Sequence, residues 1–231
     1  MDFVKFSKIG QLAGLVHDVK KMASFNNMAN PTIKFNGTVK THGTNAGVSF
    51  SSDGEYAIQS RKRIITVKND NAGFAAFATK NIKSFMFIDK RLRILYPELK
   101  DETLIIFGEW AGRGIQAGVS VTQLEKFFVT FAVKVQENGD TPAYYLESHK
   151  WDWIKDESVR IFNVNDFTKY EVEINFKDAG LITDYVTKLV DSVENECPIG
   201  KTIAKKDGIE LVNTTGEGIV WVGNWNNQRF V

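Results

Sequence analysis

The chain has 231 residues, with 29 basic against 28 acidic, a net charge of +1, and 43% hydrophobic and 12% aromatic residues. These proportions exclude a disordered, fibrous or disulfide-stapled protein and leave enough chain to bury a full core, as one large or two small domains. The balanced charge excludes a nucleic-acid partner held by global charge alone and leaves room only for a locally basic cleft. In chain order, Ile9, Leu12, Leu15, Val16, Val19 and Met22 recur at helical spacing and predict an amphipathic helix over residues 8–24. After Pro31, residues 32–40 alternate: Ile33, Phe35 and Val39 share one face, and Lys34, Asn36, Thr38 and Lys40 the other. Residues 46–50 and 56–61 read as a hairpin closed near Asp53-Gly54. Phe74, Phe77, Ile82 and Phe85 predict a helix over residues 72–88.

Residues 103–110 and 127–135 are continuous apolar runs, the pattern of strands buried on both faces. A further strand pair is expected at residues 159–164 and 170–176, a helix at 179–193, and short closing strands at 209–212, 218–222 and 227–231. No repeat or low-complexity tract interrupts the chain, and four prolines mark no linker. The expected architecture is α+β, one domain over residues 1–231, with mainly antiparallel sheets and helices packed outside.

Chemistry first surfaces in Lys40-Thr41-His42-Gly43-Thr44-Asn45. Strand parity puts Lys40 opposite the apolar face, where it can line a cleft. Gly43 permits a tight turn and close approach, and Thr44 and Asn45 add hydrogen-bonding groups. A lysine desolvated beside another cation becomes a neutral, nucleophilic amine. Taken alone the block equally describes a surface lysine before a turn. Glu109 stands near the end of one apolar run and Glu217 just before another. Carboxylates where buried strands emerge can bond a sugar hydroxyl or hold a divalent cation; singly, each also reads as a solvated strand-end acid. Arg61, in Gln59-Ser60-Arg61-Lys62-Arg63, can grip a phosphate or sit in a solvated basic turn.

Taken together and in order, KTHGTN, SRKR, FGEWAGRGIQ, FFVTFAV and EGIVWV resemble the adenylyltransferase domain of ATP-dependent RNA ligases. The likeness runs from about residue 33 to the C-terminus, toward the second family of phage RNA ligases, which includes the trypanosome RNA-editing ligases. It implies a nucleotidyltransferase (ATP-grasp-like ligase) fold around an ATP cleft. It implies further that Lys40 attacks the α-phosphate of ATP and carries AMP, that Arg61 contacts phosphate, and that Glu217 assists a divalent metal, Mg²⁺ or Mn²⁺. Asn45 would position the RNA end or phosphate, Glu109 would hold the ribose hydroxyls, and Phe131 would stack on adenine. Phe131 reads as well as a plain core residue. Val39, beside the nucleophile, joins the implied nucleotide contacts, although some relatives have Glu there. The implied partner is RNA with 5′-phosphate and 3′-hydroxyl ends, docked on a basic rim that includes Arg61, Lys62 and Arg63. A DNA ligase, a capping-type nucleotidyltransferase and a non-catalytic nucleotide- or RNA-binding module remain alternatives.

A second departure, besides Val39, one residue that separates two relatives, and two decoys complete the reading. Relatives carry a last basic K-x-K strand after E-G-x-V, and here the sequence ends at Arg229-Phe230-Val231, about where that strand is expected to begin. His42 stands where DNA ligases carry Asp; no second His or Cys lies at ligand spacing, so it reads as a structural or substrate-orienting residue. Lys205-Lys206-Asp207-Gly208 imitates the DNA ligase K-x-D-G, but too little chain follows, and it reads as a Lys-rich turn before a strand. Gly200-Lys201-Thr202 imitates a P-loop end, which Pro198 interrupts. A single cysteine, Cys197, reads as a buried thiol and fits a reducing, cytoplasmic setting, the host's for a phage protein. No apolar run nears the ~20 residues that span a bilayer, and no signal peptide is legible. A monomer without membrane contact is expected.

Overall fold

The computed structural model describes residues 1–70, 72–136, 142–223 and 229–230. In chain order its elements begin with α1 (Leu12–Phe25), β1 (Thr32–Val39), β2 (Thr44–Phe50), β3 (Tyr56–Ser60), α2 (Phe74–Lys80), α3 (Ile82–Leu95), β4 (Leu104–Ala111) and β5 (Phe127–Val135). They continue with β6 (Tyr144–Tyr145), β7 (Ile161–Asn163), β8 (Lys169–Asn175), α4 (Thr183–Asn195), α5 (Pro198–Asp207), β9 (Ile219–Gly223) and β10 (Arg229–Phe230). Short 3₁₀ turns join several of them. The chain forms two compact units. The first comprises residues 1–6, 42–117 and 125–166, and the second residues 7–41, 118–124 and 167–231.

In the second unit, four antiparallel strands run in the order β10-β9-β1-β8. The alternation read from residues 32–40 is what the sheet uses. Ile33, Phe35 and Val39 are buried, in register with Ile174, Val172 and Ile219, while Lys34 and Asn36 are exposed on the other face. Trp221 and Phe230 stack on the buried face with ring centroids 6.0 Å apart. The first helix begins at Leu12 and buries Leu15, Val19 and Ala23, whereas Met22 is exposed.

The first unit holds the order β3-β2-β4-β5-β6, with β7 added in parallel beside β5. As their apolar runs require, β4 and β5 are buried on both faces. Phe74 and Phe77 of α2 pack on Trp110, and Phe74 and Phe85 on Phe128, on one side. Val4 and Phe6 of the N-terminal segment cover Ile105, Phe107 and Ala132 on the other.

Four expectations need correction. The strands at 159–164 and 170–176 do not pair with each other: β7 joins β5, and β8 joins β1 in the other sheet. Local alternation encodes a strand but not its partner, which packing decides. The helix expected over 72–88 is two helices, separated at Asn81, whose side-chain amide donates to the Phe77 carbonyl at 3.0 Å. The Lys205–Asp207 segment is the last turn of α5, closed by Gly208 at φ 66°. Residues 209–212 form no strand, and Val212 is 97% exposed. Of the strand expected at 227–231, Arg229–Phe230 pairs with β9; Asn227, Gln228, Val231 and the Arg229 side chain lie outside the described residues. Cys197 is buried as a free thiol and caps α5, accepting from the Gly200 amide at 3.4 Å. Among the described residues no helix is long and apolar enough to cross a membrane.

Candidate active site

In the second unit, antiparallel register brings the two ends of the site together. Val39 lies opposite Ile219, so Lys40 leaves β1 where Glu217 and Gly218 enter β9. The Lys40 amide donates to the Gly218 carbonyl at 2.9 Å. One residue after buried Val39, the Lys40 side chain takes the opposite face and forms an ion pair with Glu217. The two side chains keep 34% and 27% of their surface exposed, so a ligand in solvent can reach both. Gly218 holds φ 137°, a conformation that other residues adopt only with strain, and this turn aims the carboxylate at the amine. Val39 itself is buried, and only its backbone is at hand for a ligand.

The segment that delivers Glu217 is not a strand but a strap tied down by side chains. Gln123 accepts from the amides of Val212 and Asn213 at 2.8 and 3.3 Å and donates to the Asn213 carbonyl at 2.6 Å. Asn213 donates to the Gly118 carbonyl at 2.9 Å and accepts from the Thr215 amide at 2.9 Å. The Thr214 and Thr215 carbonyls receive the amides of Cys197 and Ser120 at 2.7 and 2.8 Å, and the Gly216 amide reaches the Glu194 carbonyl at 3.1 Å. At the two ends of residues 209–212 the backbone is engaged elsewhere, the Ile209 amide with the Ala204 carbonyl at 2.9 Å and the Val212 amide with Gln123.

In the first unit the sheet register itself builds a row. Asn45 pairs with Glu109, and Glu109 with Val129. Along β4 every residue is buried except Glu109, and along β5 only Phe131 and Lys134 break the buried run. A β-bulge at Phe107/Gly108 leaves Phe131 without a ladder partner. The Phe131 ring is partly buried, edge-on to Phe6 at 5.1 Å and packed against the cluster of Val4, Ile105, Phe107 and Ala132. The side-chain oxygen of Asn45 is buried and lacks a hydrogen-bond partner. A buried acceptor left open in this way suits a hydroxyl from a ligand.

Gly43 fits the close packing here. A Cβ on it would lie 2.3 Å from the Trp110 carbonyl oxygen, so its closest approach is to β4, and Gln116 donates to its carbonyl at 3.1 Å. Arg61 emerges just past the Ser60–Ala46 register pair, one position from Asn45, and is exposed. Arg63 is used structurally, donating to the Asn69 carbonyl at 2.8 Å. His42 is half-buried.

Lys40 and Glu217 thus stand together in one unit, and Asn45, Glu109, Phe131 and Arg61 cluster at one end of the sheet in the other. Gln123, Asn213 and Gln116 were not singled out in the sequence; only Gln116 lay inside a recognised block. Among the described residues no group of three or more His, Cys, Asp or Glu could cage a metal. Glu217 is a carboxylate that could hold a divalent cation together with phosphate oxygens and water.

The sequence profile of the RNA ligase family matches residues 33–222. A comparison with curated proteins finds no match. Among solved structures, a mutant of Naegleria gruberi RNA ligase with ATP and Mn aligns at a TM-score of 0.63 and 15% identity, over 99% of this chain and 56% of that one. A mutant of the same protein with AMP and Mn aligns at 0.58 and 15%, and the enzyme with PPi at 0.57 and 14%, both with the same coverage. The chain is thus similar in fold to these proteins and spans little more than half their length.

Proposed function

The chain belongs to the RNA ligase family, and from that premise we propose that it is an ATP-dependent RNA ligase joining a 5′-phosphate to a 3′-hydroxyl through AMP carried on Lys40. The observation that carries this reading is the Lys40–Glu217 pair at the meeting of β1 and β9, accessible to solvent and inside the matched region. Structures of Naegleria gruberi RNA ligase with ATP, AMP, Mn and PPi name the ligands that such a fold takes.

In this reading the resting lysine is paired with Glu217. Attack needs the neutral amine, so Nζ, which is accessible to solvent, first gives its proton to water. Nζ then forms a bond to the α-phosphorus and pyrophosphate departs, leaving AMP in phosphoramidate linkage. Oxygen of an RNA 5′-phosphate next displaces Lys40 from the adenylate, and a 3′-hydroxyl finally displaces AMP to close the strand. A divalent cation held by Glu217, when bound, supplies positive charge that offsets the phosphates and favours the neutral amine. Glu109 accepts from ribose hydroxyls, and Asn45 offers its open oxygen beside it. Phe131 gives adenine a flat apolar face, and Arg61 meets phosphate. Each chemical step is an in-line displacement, so the residues contribute alignment and charge. The buried thiol of Cys197 fits work in a reducing cytoplasm, and we take the acting species to be a monomer.

A sealing assay tests the proposal. With ATP and Mn²⁺, RNA bearing 5′-phosphate and 3′-hydroxyl ends should be joined, and GTP should not replace ATP. Preference for nicked DNA would assign a DNA ligase instead. RNA binding that survives Lys40→Ala, with no joining by wild type, would assign a binding module.

A further inference from the structure

On α3, Lys83, Phe87, Lys90 and Ile94 follow one another at three- and four-residue spacing and so form one stripe along the helix. The opposite face is fixed inward. Phe85, Ile88 and Leu92 are buried, and Arg93 pairs with Asp89 at 3.0 Å while donating to the carbonyls of Leu99, Lys100 and Glu102 at 2.7, 2.9 and 2.9 Å. The stripe therefore stays in solvent, with Phe87 62% and Ile94 76% exposed.

A lone exposed aromatic needs no explanation; this one has a lysine on either side along the helix. Beside it lies a depression of about 300 Å³ lined by Lys83, Ser84, Phe87, Ile88, Lys155 and Asp156. The acids nearby are already engaged. Asp156 accepts from the Ser84 and Ser158 hydroxyls at 2.7 and 2.6 Å, and Asp166 pairs with Lys155 at 3.0 Å. Lys83 and Lys90 make no ion pair among the described residues. Nearby, Arg91 lies 4.4 Å over the Trp153 ring, so cation and aromatic recur together.

We propose that this face of α3 binds a single strand of RNA, one unpaired base stacking on Phe87 while Lys83 and Lys90 meet the flanking phosphates. Seven residues of helix separate the two lysines by about 10 Å, which leaves room for one nucleotide between them. Alternating cation and ring suits a polyanion with flat bases better than an apolar protein surface. An unpaired base is required because paired bases hide their faces in the helical stack. The choice of RNA rests on the ligase reading; the ring, the lysines and the depression do not.

The test is fluorescence anisotropy of a labelled oligouridylate with the full chain, alongside formation of the AMP adduct, which needs no RNA. Phe87→Ala should weaken binding about tenfold, while Phe87→Tyr, which keeps the stacking face, should stay within about twofold of wild type. The double change Lys83→Gln with Lys90→Gln should shrink the slope of log affinity against log salt by about 1.4. All variants should form the adduct at the wild-type rate. Binding by Phe87→Ala equal to wild type, or equal losses for Ala and Tyr, would overturn the proposal. So would a change in self-association without a change in RNA binding, which would make the face a protein interface. An absent adduct in wild type with Phe87→Ala still weakening RNA binding would overturn the ligase reading and leave this surface standing.

Discussion

The pair proposed to react with ATP and the row proposed to hold the nucleotide are built by different means. Asn45, Glu109 and Val129 share one line of sheet register, so hydrogen bonds of the backbone fix their spacing whatever the side chains are. Glu217 instead arrives on a strap held by Gln123 and Asn213 from segments about ninety residues apart. The contrast teaches where damage travels. A substitution in the row removes one contact and leaves the frame, whereas one under the strap moves a residue it never touches.

Several substitutions would break or sharpen that contrast. The largest effect belongs to Lys40→Ala, which should abolish adduct and sealing while leaving Tm within about 2 °C, because the side chain is partly exposed. Next, Glu109→Ala should lower kcat/KM for adduct formation about 10- to 100-fold, the value of one or two charge-assisted hydrogen bonds, again with little change in Tm. Phe131→Leu should raise the KM for ATP about tenfold through lost stacking and spare kcat. Gln123→Ala should slow adduct formation about 5- to 30-fold and also lower Tm by about 4–8 °C, since several strap bonds go at once. Stopped kinetics and thermal melts on the same preparations separate the two signatures. A Gln123→Ala protein with wild-type rate and melting would remove the strap from the account.

Much of this was legible in the sequence, and the limit falls at distance. The Ile, Val and Phe runs of β4 and β5 needed no partner to be recognised, and parity alone put Lys40 on the open face of β1. Glu109 stood out as an acid within an apolar run, and the structure leaves it the one residue of β4 not buried. Phe131 was singled out only by the resemblance, because the bulge that leaves it without a ladder partner has no local signature, and its ring packs beside Phe6 against the Ile105–Phe107 cluster. Residues 209–212 were misread for the same reason. Isoleucine, leucine and valine there suit a strand, but the Ile209 amide closes back on the Ala204 carbonyl and the Val212 amide goes to Gln123. The exchange of partners between β7 and β8 is likewise set by packing across the chain.

Intact mass after incubation with saturating ATP and Mn²⁺ tests the central claim most directly, on wild type and Lys40→Ala side by side. The account predicts that wild type gains the mass of one AMP, with pyrophosphate as the leaving group, and that Lys40→Ala gains none. An equal gain in both proteins, or no gain in wild type, would contradict it.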